Sequence, residues 1–95
     1  MVYEVVMQKV GPDKREEHVK VWSDAWKEAS FAGSHDVRFL KCIEDPTRVM
    51  VLIQWDSVEA HAGHRGTPPH NRFRERSGVH QTGPSEINHY TFEDL

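Results

Sequence analysis

The run Arg48 to Trp55, RVMVLIQW, sets the tightest constraint on how this chain can fold. A strand with one face in water needs apolar residues only at alternate positions; a nearly continuous apolar run reads as a strand covered on both faces. Such a strand belongs at the centre of the structure, and the rest of the fold must supply cover for both of its sides.

The flanking segments supply strands and helices in a regular order. Residues 1–10 carry VYEVVMQKV, rich in β-branched side chains and stopped by Gly11-Pro12, which reads as a strand ending in a turn. Asp13 suits the N-cap of a following helix, with Glu16 in capping-box position and Glu17 near the positive end of the dipole. That helix should reach Ala29 to Ala32. Its apolar residues Val19, Trp22, Ala25, Trp26 and Ala29 recur at the spacing of one helical face, opposite Lys20, Asp24, Lys27 and Glu28.

Gly33-Ser34 ends the helix, and His35 to Glu44 reads as a second strand in which Val37, Phe39 and Lys41 alternate with Arg38, Leu40 and Cys42. Asp45-Pro46-Thr47 forms a tight turn into the central strand. Asp56-Ser57 caps a short helix over Ser57 to His64, Gly66 to Pro69 breaks it, and His70 to Arg76 resumes helical spacing around Phe73. Pro84 to Phe92 supplies the last strand.

The order β-α-β-β-α-β over residues 1–95, without repeat or linker, defines one α+β domain of the ferredoxin-like, split βαβ type: a four-stranded antiparallel sheet with its helices on one face. The other sheet face is then left bare. A second copy packed sheet to sheet covers it most economically, so a homodimer is expected. The composition agrees, because 37% hydrophobic residues and a mean hydropathy of -0.71 are on the polar side for a monomer with its own full core.

Charge and cysteine content exclude several classes of function. A net charge of -3 with interspersed signs provides no general basic field for nucleic acid, although Arg65 to Arg76 is locally basic. The single Cys42 allows neither an internal disulfide nor a cysteine-built zinc site and suits a reducing compartment. No apolar segment follows a basic start, and none approaches the ~20 residues of a membrane helix. A cytoplasmic protein away from membranes is expected.

The segment WDSVEAHAGHRGTPPHNRFRE, from Trp55 to Glu75, carries a more specific signal. Its residues Trp55-Asp56-Ser57, Glu59-Ala60, His61, His64, Thr67-Pro68 and Phe73 resemble the pattern of the antibiotic biosynthesis monooxygenase-like family of dimeric α+β barrel proteins. The resemblance covers the whole chain in topology and implies a pocket between helices and sheet in each subunit. The family includes cofactor-independent oxygenases of anthrone-type polyketides, haem-degrading oxygenases and proteins without known activity; related barrels include cyclases and isomerases. Haem-degrading members use an Asn in the first strand, a Trp in the second helix and a His ligand further along it. This chain has Gln8, His64 and Arg74 near those places, so the resemblance points away from haem degradation.

Within that frame His64 is the candidate catalytic base, able to take a phenolic proton and leave an electron-rich phenolate for dioxygen or for ring closure. Its alternative role is structural, with the imidazole bonded to a carbonyl and pinning the loop at Gly66. His61, one turn earlier, can take its place or face solvent. Trp22 and Trp26 pack the core, wall a ligand cavity, or do both. Phe73, Arg65 and Asn71 complete the candidate substrate contacts, with Gln8 as a further polar group; the alternative for the arginines is a solvated helix face.

His61, His64 and His70 as metal ligands have permissive but nonspecific spacing, and no metal is expected. His35 and Asp36 point to opposite sides of a strand and cannot form a local dyad. His89 and Tyr90 likewise face opposite ways, one of them towards the helices. The leading function is cofactor-independent oxygenation of a small aromatic, polyketide-like molecule. The alternatives are a cofactor-free cyclase or isomerase of the same fold and a non-enzymatic binding protein.

Overall fold

The computed structural model describes residues 1–95, and the elements follow the expected order. They are β1 (Val2–Lys9), α1 (Arg15–Ala29), β2 (Ser34–Lys41), β3 (Arg48–Trp55), α2 (Val58–Ala62), α3 (Pro68–Ser77) and β4 (Glu86–Tyr90). All strand pairs are antiparallel, in the order β2-β3-β1-β4. This is the ferredoxin-like α+β sheet that the sequence predicts. No helix is long and apolar enough to cross a membrane.

Strand parity assigns the sheet faces. Glu4, Val6 and Gln8 of β1 and Val49, Val51, Ile53 and Trp55 of β3 are buried, and every residue between them is only partly so. The core cluster joins Val6, Val51, Ile53 and Trp55 to Trp22 of α1 and to Phe31 just beyond it. The opposite face carries Tyr3, Val5, Met7, Met50 and Leu52, all half-exposed in the single chain. The continuous apolar run thus serves a fully buried inner face and a half-open outer one.

Local chemistry moves several boundaries. Asp13 is not the cap of α1: it sits in the left-handed region at φ 62, and Lys14 is the N-cap without a side-chain hydrogen bond. The Gly11-Pro12 turn extends one residue further than the capping-box spacing implies, which removes Asp13 from the helix axis. Arg15 ties this start to the β2–β3 turn, donating from Nη1 to the carbonyls of Cys42, Asp45 and Arg48 at 2.8, 3.2 and 3.2 Å.

At the second crossover, Ser57 caps α2 by accepting from the Ala60 N–H at 3.0 Å, as expected, but the helix ends at Ala62, before His64. Pro68 and Pro69 do not lie in the break. They form the first turn of α3, where a missing N–H costs nothing, and Thr67 is the N-cap. Strand β2 stops at Lys41 and β4 spans only Glu86–Tyr90, both shorter than their sequence patterns.

Candidate active site

Between the helices and the inner sheet face lies a cavity of about 710 Å³. Trp22, Trp26, Phe31, Trp55 and Phe73 form its aromatic wall. Trp22 and Trp26 stack at 5.0 Å between centroids, one helical turn apart, and Phe73 of α3 meets both edge-on at 5.2 and 5.5 Å. Phe31 closes the group against Trp26 and Phe73 at 5.1 and 5.6 Å. Flat, electron-rich walls of this kind suit a flat aromatic guest.

The floor is polar at two points on β1. Glu4 is only 5% exposed, and its Oε1 accepts from Trp55 Nε1–H at 2.9 Å. His61 Nε2 lies 3.4 Å from the same oxygen, so both contacts fall on Oε1. Burial raises the carboxyl above its ordinary value of 4.5, while the Trp55 hydrogen bond and the Arg65 charge pull it back. Burial also pushes His61 down to about 4, reinforced by the charges of Arg65, His89, His70 and His64. His61 is therefore neutral near pH 7 and does not form an ion pair with Glu4 there. Its ring stacks on Trp55 at 4.9 Å, and its Nδ1 is hydrogen-bonded to His89 Nε2 at 2.8 Å.

Four residues along the same strand, Gln8 Oε1 meets His18 Nε2 at 2.7 Å. His18 is fully buried, and burial followed by the His80 charge holds its pKa below 6.5, so the ring is neutral. Its Nδ1 has no partner. An orphaned buried N–H is rarer than an orphaned lone pair, which puts the proton on Nε2 as the donor to Gln8. The Gln8 amide group is thereby turned with its NH2 free for the cavity. Carboxyl and carboxamide stand ~13 Å apart along the strand, judged from its rise per residue.

The candidates from the sequence divide in two. Trp22, Trp26, His61, Arg65 and Phe73 line the cavity, with His70 and Arg74 beside them. His64 and Asn71 do not. His64 Nε2 donates to the Ala32 carbonyl at 2.8 Å and the ring rests on Phe31 at 4.9 Å, so it pins the chain beyond α1 instead of facing the cavity. The reason is the early end of α2, which carries His64 into the turn after the helix. Asn71 is on the exposed side of α3. His35 bonds to Asp56 at 2.6 Å, away from its neighbour Asp36, which pairs with Arg38 at 3.4 Å. No group of three or more His, Cys, Asp or Glu side chains is arranged to hold a metal ion.

Glu4, His18 and His89 were not legible as site residues. Glu4 and Gln8 share the parity of Val6, and a polar residue at a core-facing strand position was the available signal. His18 precedes Trp22 by four positions, on the same helical face.

A sheet in the order β2-β3-β1-β4, with helices on one face and an aromatic cavity between the layers, defines a ferredoxin-like α+β protein with an internal cavity. The sequence pattern of the antibiotic biosynthesis monooxygenase family matches residues 1–76, and the chain belongs to that family. The structure resembles a Bordetella bronchiseptica protein bearing the same family description, with a TM-score of 0.88 at 20% identity over 97% of this chain and 96% of that one. A Caulobacter crescentus protein of that description has a TM-score of 0.77 at 22% identity, covering 98% and 90%. SnoaB, a cofactor-independent oxygenase from Streptomyces nogalater, has a TM-score of 0.80 at 15% identity, covering 99% and 94%. At these identities the likeness is one of fold. No curated protein sequence matches significantly.

Proposed function

We propose that the protein is a cofactor-independent monooxygenase of a flat, hydroxylated aromatic molecule of polyketide type, with Glu4 as the general base. The observation that carries this reading is a buried carboxyl with a raised pKa at the floor of an aromatic-walled cavity. A carboxylate made more basic by burial takes a proton from an acidic ring position and leaves a delocalised anion, which reduces dioxygen directly. The balance closes without another reductant: a ring CH2 becomes C=O, one oxygen atom is retained, the other leaves as water, and the substrate supplies all four electrons. Trp22, Trp26 and Phe73 clamp the rings, Arg65 faces the developing negative charge, and the Gln8 NH2 orients a carbonyl at the far end. Family membership and the likeness to SnoaB support oxygenation over other chemistry of this fold.

The same reading takes the functional unit to be a homodimer in the cytoplasm, joined through the face that carries Tyr3, Val5, Met7, Met50 and Leu52. Half-exposed apolar side chains on the two central strands, β1 and β3, with Leu40 of β2 and Tyr90 of β4 exposed beside them, support it. Sedimentation at micromolar concentration tests the dimer, and a monomer contradicts it.

Oxygen uptake with a hydroxylated anthrone tests the reaction. The wild type consumes one O2 per quinone formed, and Glu4→Gln lowers kcat by roughly 10²–10⁴. Turnover that continues unchanged without oxygen replaces the oxygenase with a cyclase or isomerase.

A further inference from the structure

We propose that His61 and His89 form a proton conduit joining the Glu4 carboxyl to solvent at the sheet edge, so that Glu4 changes protonation state while the cavity is occupied. This rests on the reading of Glu4 as the base.

The arrangement follows from the sheet register. Glu4 and His89 are cross-strand partners of β1 and β4, so both side chains rise from the inner face. Strand β4 is the edge of the sheet, and His89 is half-buried there. His61 comes down from α2 between them, its ring held flat against Trp55 at an interplanar angle of 22°. This plane aims Nε2 at Glu4 Oε1, 3.4 Å away, and Nδ1 at His89 Nε2, 2.8 Å away. An aromatic guest covers Glu4 from the cavity side, while His89 stands outside the cavity lining.

The protonation states are interdependent. Trp55 Nε1 has only a hydrogen to offer, so Glu4 Oε1 is an acceptor there. With Glu4 ionised, His61 carries its proton on Nε2, facing the carboxylate, and Nδ1 accepts from His89. With Glu4 protonated on Oε1, the proton passes to His61 Nε2 while the one on Nδ1 passes to His89 Nε2. One proton moves outward, no electrons move, His61 ends neutral in the other tautomer, and His89 holds the charge as an imidazolium at the edge. Burial and the cations facing His61, namely Arg65 from the loop after α2 and His89, His70 and His64 when protonated, favour its neutral form. A neutral ring with one proton and one lone pair is what a relay needs. The 3.4 Å gap closes by a small tilt of the ring, as catalytic contacts do when substrate binds.

Two measurements test the conduit. On unliganded protein, histidine 15N NMR is expected to show the His61 ring nitrogens responding to the titrations of both Glu4 and His89. The response to His89 disappears in His89→Gln. A His61 ring that responds to neither overturns the conduit whatever the reaction is. In turnover of a hydroxylated anthrone, His89→Gln keeps an N–H for His61 but cannot carry a proton. Its kcat is expected to fall about tenfold or more with KM unchanged, and added imidazole to restore it. Wild-type turnover in His89→Gln without any response to imidazole overturns the proposal. If the wild type consumes no oxygen, the base reading falls, and the NMR titration decides the conduit by itself.

Discussion

Trp55 donates its indole N–H to Glu4 at 2.9 Å, joining diagonal neighbours on two adjacent antiparallel strands inside the core. The indole does two things at once. Its ring is 1% exposed and closes the core cluster, and its single polar atom satisfies a carboxyl that apolar surroundings alone do not solvate.

Trp55→Phe keeps an aromatic ring and removes that donor. The Glu4 pKa rises further, because the hydrogen bond now pulls it down. A base with a higher pKa is protonated over more of the pH range, so the acid limb of the kcat/KM profile moves to higher pH. Folding stability falls by about 1–3 kcal/mol as the charge-assisted hydrogen bond is lost. An acid limb that stays in place contradicts the assignment of Glu4 as the base.

Stability is expected to fall on acidification below pH 6.5. Burial lowers the pKa of His18, His61 and His70 in the folded chain, so the unfolded chain binds more protons. Their contribution is complete above about 6.5. It is lost as the pH drops towards the folded values, about 4 for His61, at up to about 1.4 kcal/mol per pH unit for each proton. Glu4 has the opposite sign, since its folded pKa is raised: its contribution is present below 4.5 and is lost as the pH rises through the folded value. Thermal melts from pH 7.5 to 4.5 check the net slope, and His61→Gln flattens it.

His64→Ala is expected to cost stability and leave chemistry nearly intact. The lost bond to the Ala32 carbonyl is worth ~1 kcal/mol, read from a urea midpoint. A tenfold or larger loss of kcat/KM in this variant returns His64 to the catalytic assignment.

The two stacked tryptophans are expected to separate by role. Trp22 is 3% exposed, and Trp22→Ala leaves a hole in the core costing about 3–5 kcal/mol. Trp26 is half-buried, so Trp26→Ala costs less stability but removes a face for the guest. Denaturant midpoints and binding of a hydroxylated anthrone to each variant distinguish them.

The fold and the wall of the site were legible along the chain. The continuous apolar run of β3, the β-branched stretch of β1, periodicity 3.6 in α1 and the Trp55 to Phe73 segment were enough for the order of the elements, the ferredoxin-like layers, Trp22, Trp26 and Phe73 of the wall, and the family. These are local signals, because a strand or helix repeats its burial every few residues whatever it packs on. Which histidine meets the cavity was not local. His61 and His64 are one turn apart, and only the end of α2 at Ala62 sends one to Glu4 and the other to Ala32. Glu4, His61, Trp55 and His89 come from four elements, and their meeting depends on the β1–β3 and β1–β4 registers, which sequence spacing does not carry. The sequence by itself determined the layers and what lines them. The tertiary structure decided the chemistry of the floor, because a carboxyl becomes a base candidate only when packing has taken away its water and left it one indole and one imidazole.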